Sequence, residues 1–253
     1  MSQQHEAVVE RQFGSQASAY LTSTVHSQGA EFDRLRALVA EQPRARVLDL
    51  GCGAGHVAFQ VAPLVAEVVA YDLSADMLSV VKATAGERGL SNVAVQQGVV
   101  EQLPFEDGSF DVVFSRYSAH HWSDLGLGLR EARRVLKPGG VFAFIDVASP
   151  GQPLLDTYLQ TVEVLRDTSH VRDYSVGEWL ARVSEAGLRV EGHVLQRLRL
   201  EFGSWVERMR TPDVYRSAIR ELQGAMSVDV RHYFEIESDG SFTTDVVVLW
   251  GKC

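Results

Sequence analysis

The chain has 253 residues, 45% of them hydrophobic, which is enough to bury the core of an α/β domain and excludes a disordered composition. Its formal net charge of -9 argues against a broad positive field for nucleic acid or an anionic membrane. The two cysteines, Cys52 and Cys253, provide neither a disulfide framework nor a cluster spaced for a metal.

The first residues, MSQQHEAVVERQ, lack the charged start and apolar run of a signal peptide. No run of roughly 18 apolar residues occurs, so we expect no membrane span. Together with the low cysteine content, this predicts a cytoplasmic protein.

Strand-like runs alternate with helix-length segments from residue 46 to residue 146. This alternation predicts a parallel sheet with helices on both faces. The predicted strands are Arg46–Leu50, Glu67–Tyr71, Val93–Gln97, Asp111–Ser115 and Val141–Asp146.

For two helices of this region the sequence indicates where the helix begins or ends. One is predicted to begin after Ser74, a good N-cap, with Met77 on its apolar face. The other covers about Asp124–Leu136 and is expected to stop at LKPGG, where Pro138 cannot continue a helix and the glycines allow a turn into the next strand.

Beyond residue 150 the pattern becomes mainly helical. Helices are predicted over Leu154–Arg166, Val176–Ala186 and Trp205–Arg220, as a cover over one end of the sheet. Leu188–Leu200 and Phe242–Trp250 alternate as strands, and we expect them to form an antiparallel edge.

The stretch VLDLGCGAGH, Val47–His56, places Gly51, Gly53 and Gly55 directly after the first strand. Ligands of parallel α/β sheets bind at this strand edge, and glycines let a ligand approach the backbone closely. A dinucleotide fingerprint would need a sixth-position glycine where His56 stands, and a phosphate-binding loop would need Gly-Lys-Ser/Thr. The loop therefore favours a carboxylate over a pyrophosphate at the following helix.

Asp72 ends the second predicted strand, 21 residues after Gly51. An acid at this position can accept hydrogen bonds from both hydroxyls of a ribose. The alternative is an N-cap for the next helix, but Ser74 already fills that role.

These motifs resemble the class I S-adenosylmethionine-dependent methyltransferases. The similarity is specific from Val47 to Asp146: VLDLGCGAGH, Asp72 as the ribose carboxylate, EQLPFEDGSFDVVFS through the fourth strand, and RVLKPGG before the fifth. Within that superfamily the chain resembles the ubiquinone/menaquinone-biosynthesis type. FGSQASAY, Phe13–Tyr20, is similar to the N-terminal segment that such enzymes fold over the cofactor.

The resemblance implies a doubly wound α/β fold, the Rossmann-like methyltransferase fold. It would contain a mostly parallel seven-stranded sheet, an antiparallel edge and a helical lid. We expect residues 1–253 to form a single domain, with 1–45 as an N-terminal helical cover and 46–146 as the cofactor-binding core. Residues 150–226 would be lid helices interleaved with the C-terminal edge strands.

The resemblance also implies roles for residues toward S-adenosylmethionine. Asp49 would orient the amino group, the backbone of residues 51–53 would lie against the methionine part, and Leu73 and Met77 would pack on the adenine. Tyr20 would close over the methionine end, unless it is a helix residue packed on the core. The expected cofactor-binding residues are Tyr20, Asp49, Gly51, Cys52, Gly53, Gly55, Asp72, Leu73, Met77, Gly98, Val99, Val100 and Ser115.

One position departs from the family pattern. In GVVE, Gly98–Glu101, Val99 stands where an aspartate usually binds the adenine amino group. Adenine selectivity is then expected to rest on backbone groups near Val99 and Val100 and on apolar packing. Glu101 either compensates or is a solvated acid.

SRYSAHHWSD, Ser115–Asp124, follows the fourth strand at the same sheet edge. Methyl transfer from a sulfonium mainly needs alignment and exclusion of water, and a base is required only when the nucleophile must lose a proton. His120 and His121 are the candidate catalytic bases. Because adjacent residues of a turn point in different directions, we expect at most one of them to reach the substrate.

Tyr117, Arg172 and Tyr174 are the candidate substrate-binding residues. Arg172 and Tyr174 lie in a polar stretch between two predicted lid helices, and a guanidinium binds carboxylates well. A solvated loop is the alternative interpretation. SRYS in place of the Asn/Asp-Pro-Pro-aromatic motif argues against methylation of exocyclic nitrogens.

The predicted function is a methyltransferase (EC 2.1.1.-) that uses S-adenosyl-L-methionine and acts on carbon or oxygen of a small organic molecule. The expected partner is this small-molecule acceptor, with no nucleic acid, and the oligomeric state stays open. Two alternatives remain: a cofactor-binding regulatory protein without turnover, and a NAD-dependent oxidoreductase, which His56 disfavours.

Overall fold

The computed structural model describes residues 2–14 and 29–253. Its strands form one sheet and are, in chain order, β1 (Arg46–Leu50), β2 (Glu67–Asp72), β3 (Val93–Gln97), β4 (Phe110–Arg116), β5 (Leu136–Ala148), β6 (Arg189–Leu200) and β7 (Phe242–Lys252). The spatial order is β3-β2-β1-β4-β5-β7-β6. Strands β1 to β5 pair in parallel, and β7 is antiparallel to both neighbours. The predicted mostly parallel sheet with an antiparallel edge is confirmed.

Helices cover both faces of this sheet. Within the described ranges the α-helices are α1 (Ser2–Gly14), α2 (Glu31–Val39), α3 (His56–Val61), α4 (Ala75–Glu87), α5 (Leu125–Val135), α6 (Pro153–Arg166), α7 (Val176–Glu185), α8 (Phe202–Arg208), α9 (Asp213–Ala225) and α10 (Val228–Tyr233). The Ser74 hydroxyl accepts a hydrogen bond from the Met77 amide and caps α4 as predicted. None of these helices is long and apolar enough to cross a bilayer.

Two predictions about element boundaries are wrong. Leu136, the predicted last residue of the helix, and residues 137–140, expected as a turn, already belong to β5, because Leu136 pairs with Phe110 and the Gly140 carbonyl accepts from the Cys253 amide. The helix expected over Trp205–Arg220 is interrupted between α8 and α9. The interruption contains Arg210 in a left-handed conformation (φ 48°), followed two residues later by Pro212.

Separate apolar clusters pack against the sheet. Leu48 and Phe142 lie in the cluster covered by α5 and α7, whereas Val47 and Phe114 lie in the one covered by α2 and α3. This split follows from the alternation of side chains along each strand.

A third cluster joins α6, α8, α9 and α10 to the ends of β6 and β7, with Tyr158, Trp205, Phe234 and Phe242 at its centre. Because β7 is antiparallel to β5, its first residues lie beside Ala148 at the end of β5. The helices of this cluster therefore lie at the sheet edge where the parallel strands end.

Candidate active site

The strand order reverses between β1 and β4, and a cleft opens at the carboxyl ends of these strands. It has a volume of about 710 Å³, including its mouth. We call it the first cleft. The loops after β1, β2, β3 and β4 line it together with α1, through residues that include Gly51, Asp72, Leu73, Met77, Gly98, Val99, Val100, Glu101, Tyr117, Ser118, His121, Trp122, Phe13 and His5.

The glycine loop after β1 forms one wall of the first cleft. Gly51 has a φ of 69°, and a Cβ there would overlap the Ser118 hydroxyl, which itself accepts from the Trp122 indole at 3.0 Å. Gly53 has a φ of 51°, and a Cβ there would meet no atom within 4 Å. The loop therefore needs glycine for its conformation and for the close packing of its first residue.

Asp72 connects the tip of β2 to this loop. Its Oδ2 accepts from the Gly53 amide at 2.8 Å, and its Oδ1 accepts from the Ser74 amide at 2.9 Å. Burial raises the pKa of Asp72, and the hydrogen bonds from Ser74 and Gly53 oppose this rise. Each carboxylate oxygen keeps a second lone pair, so Asp72 can still accept hydrogen bonds from a ligand in the first cleft.

Asp49 lies at the end of β1, buried to 1% exposure. Its Oδ2 accepts from the Ala58 amide at 2.9 Å, whereas its Oδ1 is buried with no hydrogen-bond partner. Burial raises the pKa of Asp49 to about 7, and the negative charge of Asp72 acts in the same direction. Asp49 does not line the first cleft but supports the loop that does.

The loops after β2 and β3 and the start of α4 add a mainly apolar part of the wall. Leu73, Met77 and Val99 line it, and the Tyr71 hydroxyl donates to the Val99 carbonyl at 2.9 Å. Glu101 also faces this cleft, half-buried, and its carboxylate accepts from the Asp124 amide at 3.3 Å. Of the two interpretations of Glu101, the structure therefore favours a residue of the site over a solvated acid.

Helix α1 closes the first cleft from the amino-terminal side. The His5 imidazole contacts the His121 carbonyl at 3.0 Å, and the Phe13 ring meets the His121 ring edge to face at 4.9 Å. Phe13 opens the predicted segment Phe13–Tyr20 and lies at the cleft as expected. Tyr20 lies outside the described residues.

A second cleft of about 560 Å³ adjoins the first and shares Phe13, Tyr117 and His121 with it. Its remaining lining is His120, Val147, Glu163, Arg166, Asp167, Asp173, Leu198, Leu200, Trp205 and Arg208. The two clefts therefore meet at three side chains.

Tyr117 forms the border between the clefts and is held in an unusual conformation. Its φ is 53°, a region that costs a side-chain-bearing residue about 1–3 kcal/mol unless its surroundings fix it. Its amide donates to the Ile145 carbonyl at 2.8 Å, and the Arg116 guanidinium stacks on its ring at 4.5 Å. Arg116 is itself fixed by a buried ion pair with Glu31 at 2.6 Å.

His120 forms an ion pair with Asp146 of β5. The His120 Nδ1 lies 2.5 Å from the Asp146 Oδ1, and the His120 amide donates to the other carboxylate oxygen at 3.1 Å. Burial lowers the pKa of His120, but the charge and hydrogen bond of Asp146 outweigh it and raise the pKa to about 9. His120 is therefore a cation at neutral pH.

The pKa of His121 is shifted in the opposite direction from that of His120. Its Nδ1 faces the Ser169 carbonyl at 3.1 Å, so Nδ1 carries the proton and Nε2 is left as an acceptor. Burial, followed by the positive charge of His120, lowers the pKa of His121 to about 4. His121 is neutral at pH 7 and lines both clefts, whereas His120 lines only the second.

Several predicted residues do not line either cleft. Cys52, Gly53, Gly55 and Ser115 are not among the residues that line the first or the second cleft. Burial raises the pKa of the Cys52 thiol well above its ordinary value. The Ser115 hydroxyl is buried without a hydrogen-bond partner.

Arg172 and Tyr174 also lie outside both clefts. The Arg172 guanidinium pairs with Asp156 at 3.3 Å and with Glu178 at 3.1 Å, and it lies over the Tyr174 ring. These internal partners leave the predicted substrate role of Arg172 without structural support.

Sequence reasoning missed the acids of the second cleft, namely Glu163, Asp167 and Asp173, and the partner of His120, Asp146. Asp146 had a usable signal, because it ends the predicted fifth strand at the ligand-binding edge. The other three lie on or after α6, where only the tertiary fold brings them to the cleft.

Comparison with known proteins agrees with this geometry. Residues 48–144 match the family model of the methyltransferase domain. The chain is 53% identical over 199 residues to the uncharacterized protein YafE of Escherichia coli, covering 79% of this chain and 96% of YafE. It is 33% identical over 146 residues to the demethylmenaquinone methyltransferase of Lactococcus lactis, covering 55% and 58% of the two chains.

The uncharacterized methyltransferase YcgJ of Bacillus subtilis is 38% identical over 203 residues, 80% of each chain. Its crystal structure superposes with a TM-score of 0.83 over 88% of this chain and 98% of that one. S-adenosylmethionine is therefore the cofactor of this protein, and the chain belongs to the class I S-adenosylmethionine-dependent methyltransferases.

Proposed function

We propose that the protein transfers a methyl group to carbon or oxygen of a small organic molecule that binds in the second cleft. The observation that carries this proposal is the pair of adjoining clefts that meet at Phe13, Tyr117 and His121. Bound S-adenosylmethionine supplies an electrophilic methyl group on a positively charged sulfur. The residues at the border then have to align the acceptor and exclude water.

The side chains that line the first cleft suit the chemical groups of S-adenosylmethionine. Asp72 would accept from the ribose hydroxyls, and Leu73, Met77 and Val99 would pack on the adenine. Gly53 leaves the loop open to a close ligand. Asp49 does not line the first cleft, so its unpartnered Oδ1 would reach the ammonium of the cofactor through water. The expected role of Tyr20 over the methionine end stays part of this proposal.

His121 is the proposed base for an acceptor that must lose a proton. Its neutral Nε2 can take the proton as the methyl group is transferred. The Asp167 carboxylate, 3.9 Å from Nε2, stabilises the positive charge that then appears on the ring. His120, held protonated by Asp146, cannot serve as a base at neutral pH and instead keeps His121 neutral.

Helices α6 to α9, which fall within residues 150–226, are the proposed lid. They carry Trp205 and much of the remaining wall of the second cleft, at the edge where the cofactor loops end. We propose the expected domain layout on this basis: one domain over residues 1–253, with 1–45 as cover, 46–146 as cofactor-binding core and 150–226 as lid helices. A cytoplasmic location is proposed from the two free thiols, and a non-nucleic-acid acceptor from the net charge of -9.

Neither alternative function is favoured. A NAD-dependent oxidoreductase conflicts with His56 at the sixth loop position and with the family assignment. A cofactor binder without turnover does not account for a second cleft that opens beside the first at a neutral histidine.

The test is incubation of the protein with methyl-labelled S-adenosylmethionine and a cell metabolite extract. We expect a labelled small molecule with the wild type and far less with His121→Asn, while cofactor binding measured by calorimetry stays equal. Intact cofactor binding with no labelled small molecule in repeated extracts would contradict the proposed turnover.

A further inference from the structure

The second cleft contains two buried acids with unused acceptor atoms. Asp167 and Asp173 are each 1% exposed, and within the described part of the chain the Oδ2 atom of each receives no hydrogen bond. Native structures rarely leave such atoms unpaired, because an unsatisfied buried polar atom is costly. Both residues line the second cleft, so a ligand bound there can supply the missing donors.

The fold satisfies only one side of the Asp167 carboxylate. Its Oδ1 accepts from the Ser169 amide at 2.8 Å and from the Ser169 hydroxyl at 2.6 Å. Its Oδ2 lies 3.9 Å from the His121 Nε2, which carries no proton and cannot donate. Because this oxygen has two lone pairs, Asp167 can accept from a ligand and still lie beside His121.

The charged groups at the second cleft leave one negative charge over. Within the described residues, the cations are His120, Arg166 and Arg208. The carboxyl groups are Asp146, Glu163, Asp167 and Asp173. The ion pairs His120–Asp146 and Arg166–Glu163 account for two of each sign. The ionised carboxyl groups therefore outnumber the cations by one, and a buried charge without a counterion is costly, so a ligand with one positive charge balances the cleft.

Without a ligand, Asp173 holds a proton in place of that cation. Burial, followed by the negative charge of Glu163, raises the pKa of Asp173 well above its ordinary value. A cation in the second cleft would favour the ionised carboxylate. The proton and the ligand cation are therefore alternatives at the same acid.

An ammonium group meets both requirements of the second cleft. It carries one positive charge and three N–H donors, which the Oδ2 atoms of Asp167 and Asp173 can accept. A quaternary ammonium has the charge but no donor, and a hydroxyl has one donor but no charge. A carboxylate has neither and would add to the negative charge of the cleft.

We propose that the acceptor molecule carries a protonated amine that anchors it to Asp167 and Asp173. Leu198, Leu200 and Trp205, which also line the second cleft, pack against its apolar frame. A protonated nitrogen has no lone pair, so it cannot attack the methyl group, which goes to carbon or oxygen elsewhere on the molecule. This inference rests on the proposed function, since it identifies the chemical class of the molecule that receives the methyl group.

The first test measures binding of a defined panel by calorimetry and ligand-observed NMR, with the protein saturated with S-adenosylhomocysteine. The panel contains 2-phenylethylamine and 2-cyclohexylethylamine, together with the alcohol, the carboxylate and the trimethylammonium derivative of each frame. We expect at least one amine to bind, with its alcohol, carboxylate and trimethylammonium analogues at least about tenfold weaker.

Isosteric variants test the two acids. Asp167→Asn and Asp173→Asn keep the size of the side chain and remove its charge, so each should weaken amine binding about tenfold or more and leave alcohol binding unchanged. Glu185→Gln, at an exposed acid of α7, is the matched control. Thermal unfolding and S-adenosylhomocysteine affinity verify that each variant is folded, and the second variant decides where the first does not fold.

The inference is overturned if the alcohols or carboxylates bind as tightly as the amines, or if neither amine binds while S-adenosylhomocysteine does. It is also overturned if the folded Asn variants bind the amine as tightly as the wild type does.

The second test examines the charge of the product that is labelled in the metabolite extract. We expect this product to be retained by a cation exchanger at pH 7. A labelled product that is not retained would refute this inference and leave the proposed function intact. Intact cofactor binding with no labelled product would instead contradict the proposed function.

Discussion

Replacing Asp146 with Asn should change how the stability of the protein depends on pH. In the fold, Asp146 holds His120 at 2.5 Å and raises its pKa from 6.5 to about 9. The groups that also face His120 are His121, His170, Glu163 and Asp173.

The sign follows from the raised pKa. A histidine that binds its proton more tightly in the folded state stabilises the fold below pH 6.5 and loses this contribution as the pH rises through 9. A rise from 6.5 to about 9, at 1.36 kcal/mol per pKa unit, corresponds to about 3 kcal/mol. The imidazole is 14% exposed, so solvent screens this interaction little.

The assay is urea unfolding of wild type and Asp146→Asn at pH 6.0, 7.5 and 9.0, with Glu185→Gln as control. The wild type should exceed the variant in free energy of unfolding by about 3 kcal/mol at pH 6.0, with the difference shrinking toward pH 9. A difference that stays constant over this range would refute the assignment of His120 as a buried cation.

Three further predictions concern single side chains. Gly51→Ala should abolish S-adenosylmethionine binding in calorimetry, because the new Cβ overlaps Ser118, and wild-type affinity in this variant would contradict the packing. His121→Asn should lower kcat by about 10²–10⁴ with cofactor affinity unchanged, and an unaltered kcat would remove the base. Trp205→Ala should cost about 3–5 kcal/mol of unfolding free energy in urea titrations, because the ring is 1% exposed in the third cluster, whereas a loss below 1 kcal/mol would show that the cluster is loosely packed.

The first cleft was readable from the sequence because its signals are local. Gly51 follows the buried strand β1, and Asp72 is the last residue of β2. The carboxyl ends of parallel strands lie at one edge of the sheet, so both residues reach the first cleft without help from distant parts of the chain. Val99 departs from the family pattern, but it lines the first cleft, and its carbonyl accepts a hydrogen bond from the Tyr71 hydroxyl.

The second cleft was not readable because it depends on distant partners. The choice between His120 and His121 is made by Asp146 and Ser169, which lie 26 and 48 residues further along the chain. Arg172 stood in a polar stretch that suggested a ligand, but its partners Asp156 and Glu178 belong to the same lid. A polar loop looks the same in sequence whether its charges meet a substrate or each other.

The sequence contained an indication of the break between α8 and α9, which the helical spacing of the apolar residues outweighed in the prediction. Pro212 lies inside the predicted helix Trp205–Arg220 and cannot donate a backbone hydrogen bond there. The spacing of apolar residues on either side of Pro212 was consistent with a helix, and the predicted helix was wrongly extended through the proline.

The most direct test of the proposed cofactor site is calorimetric titration of S-adenosylmethionine into wild type, Asp72→Ala and the control Asp76→Ala. Asp72 lines the first cleft, whereas Asp76 is an exposed acid in the first turn of α4. We expect Asp72→Ala to weaken binding by about tenfold or more and Asp76→Ala to leave it unchanged. Equal affinity in all three proteins would contradict the proposed place of the cofactor.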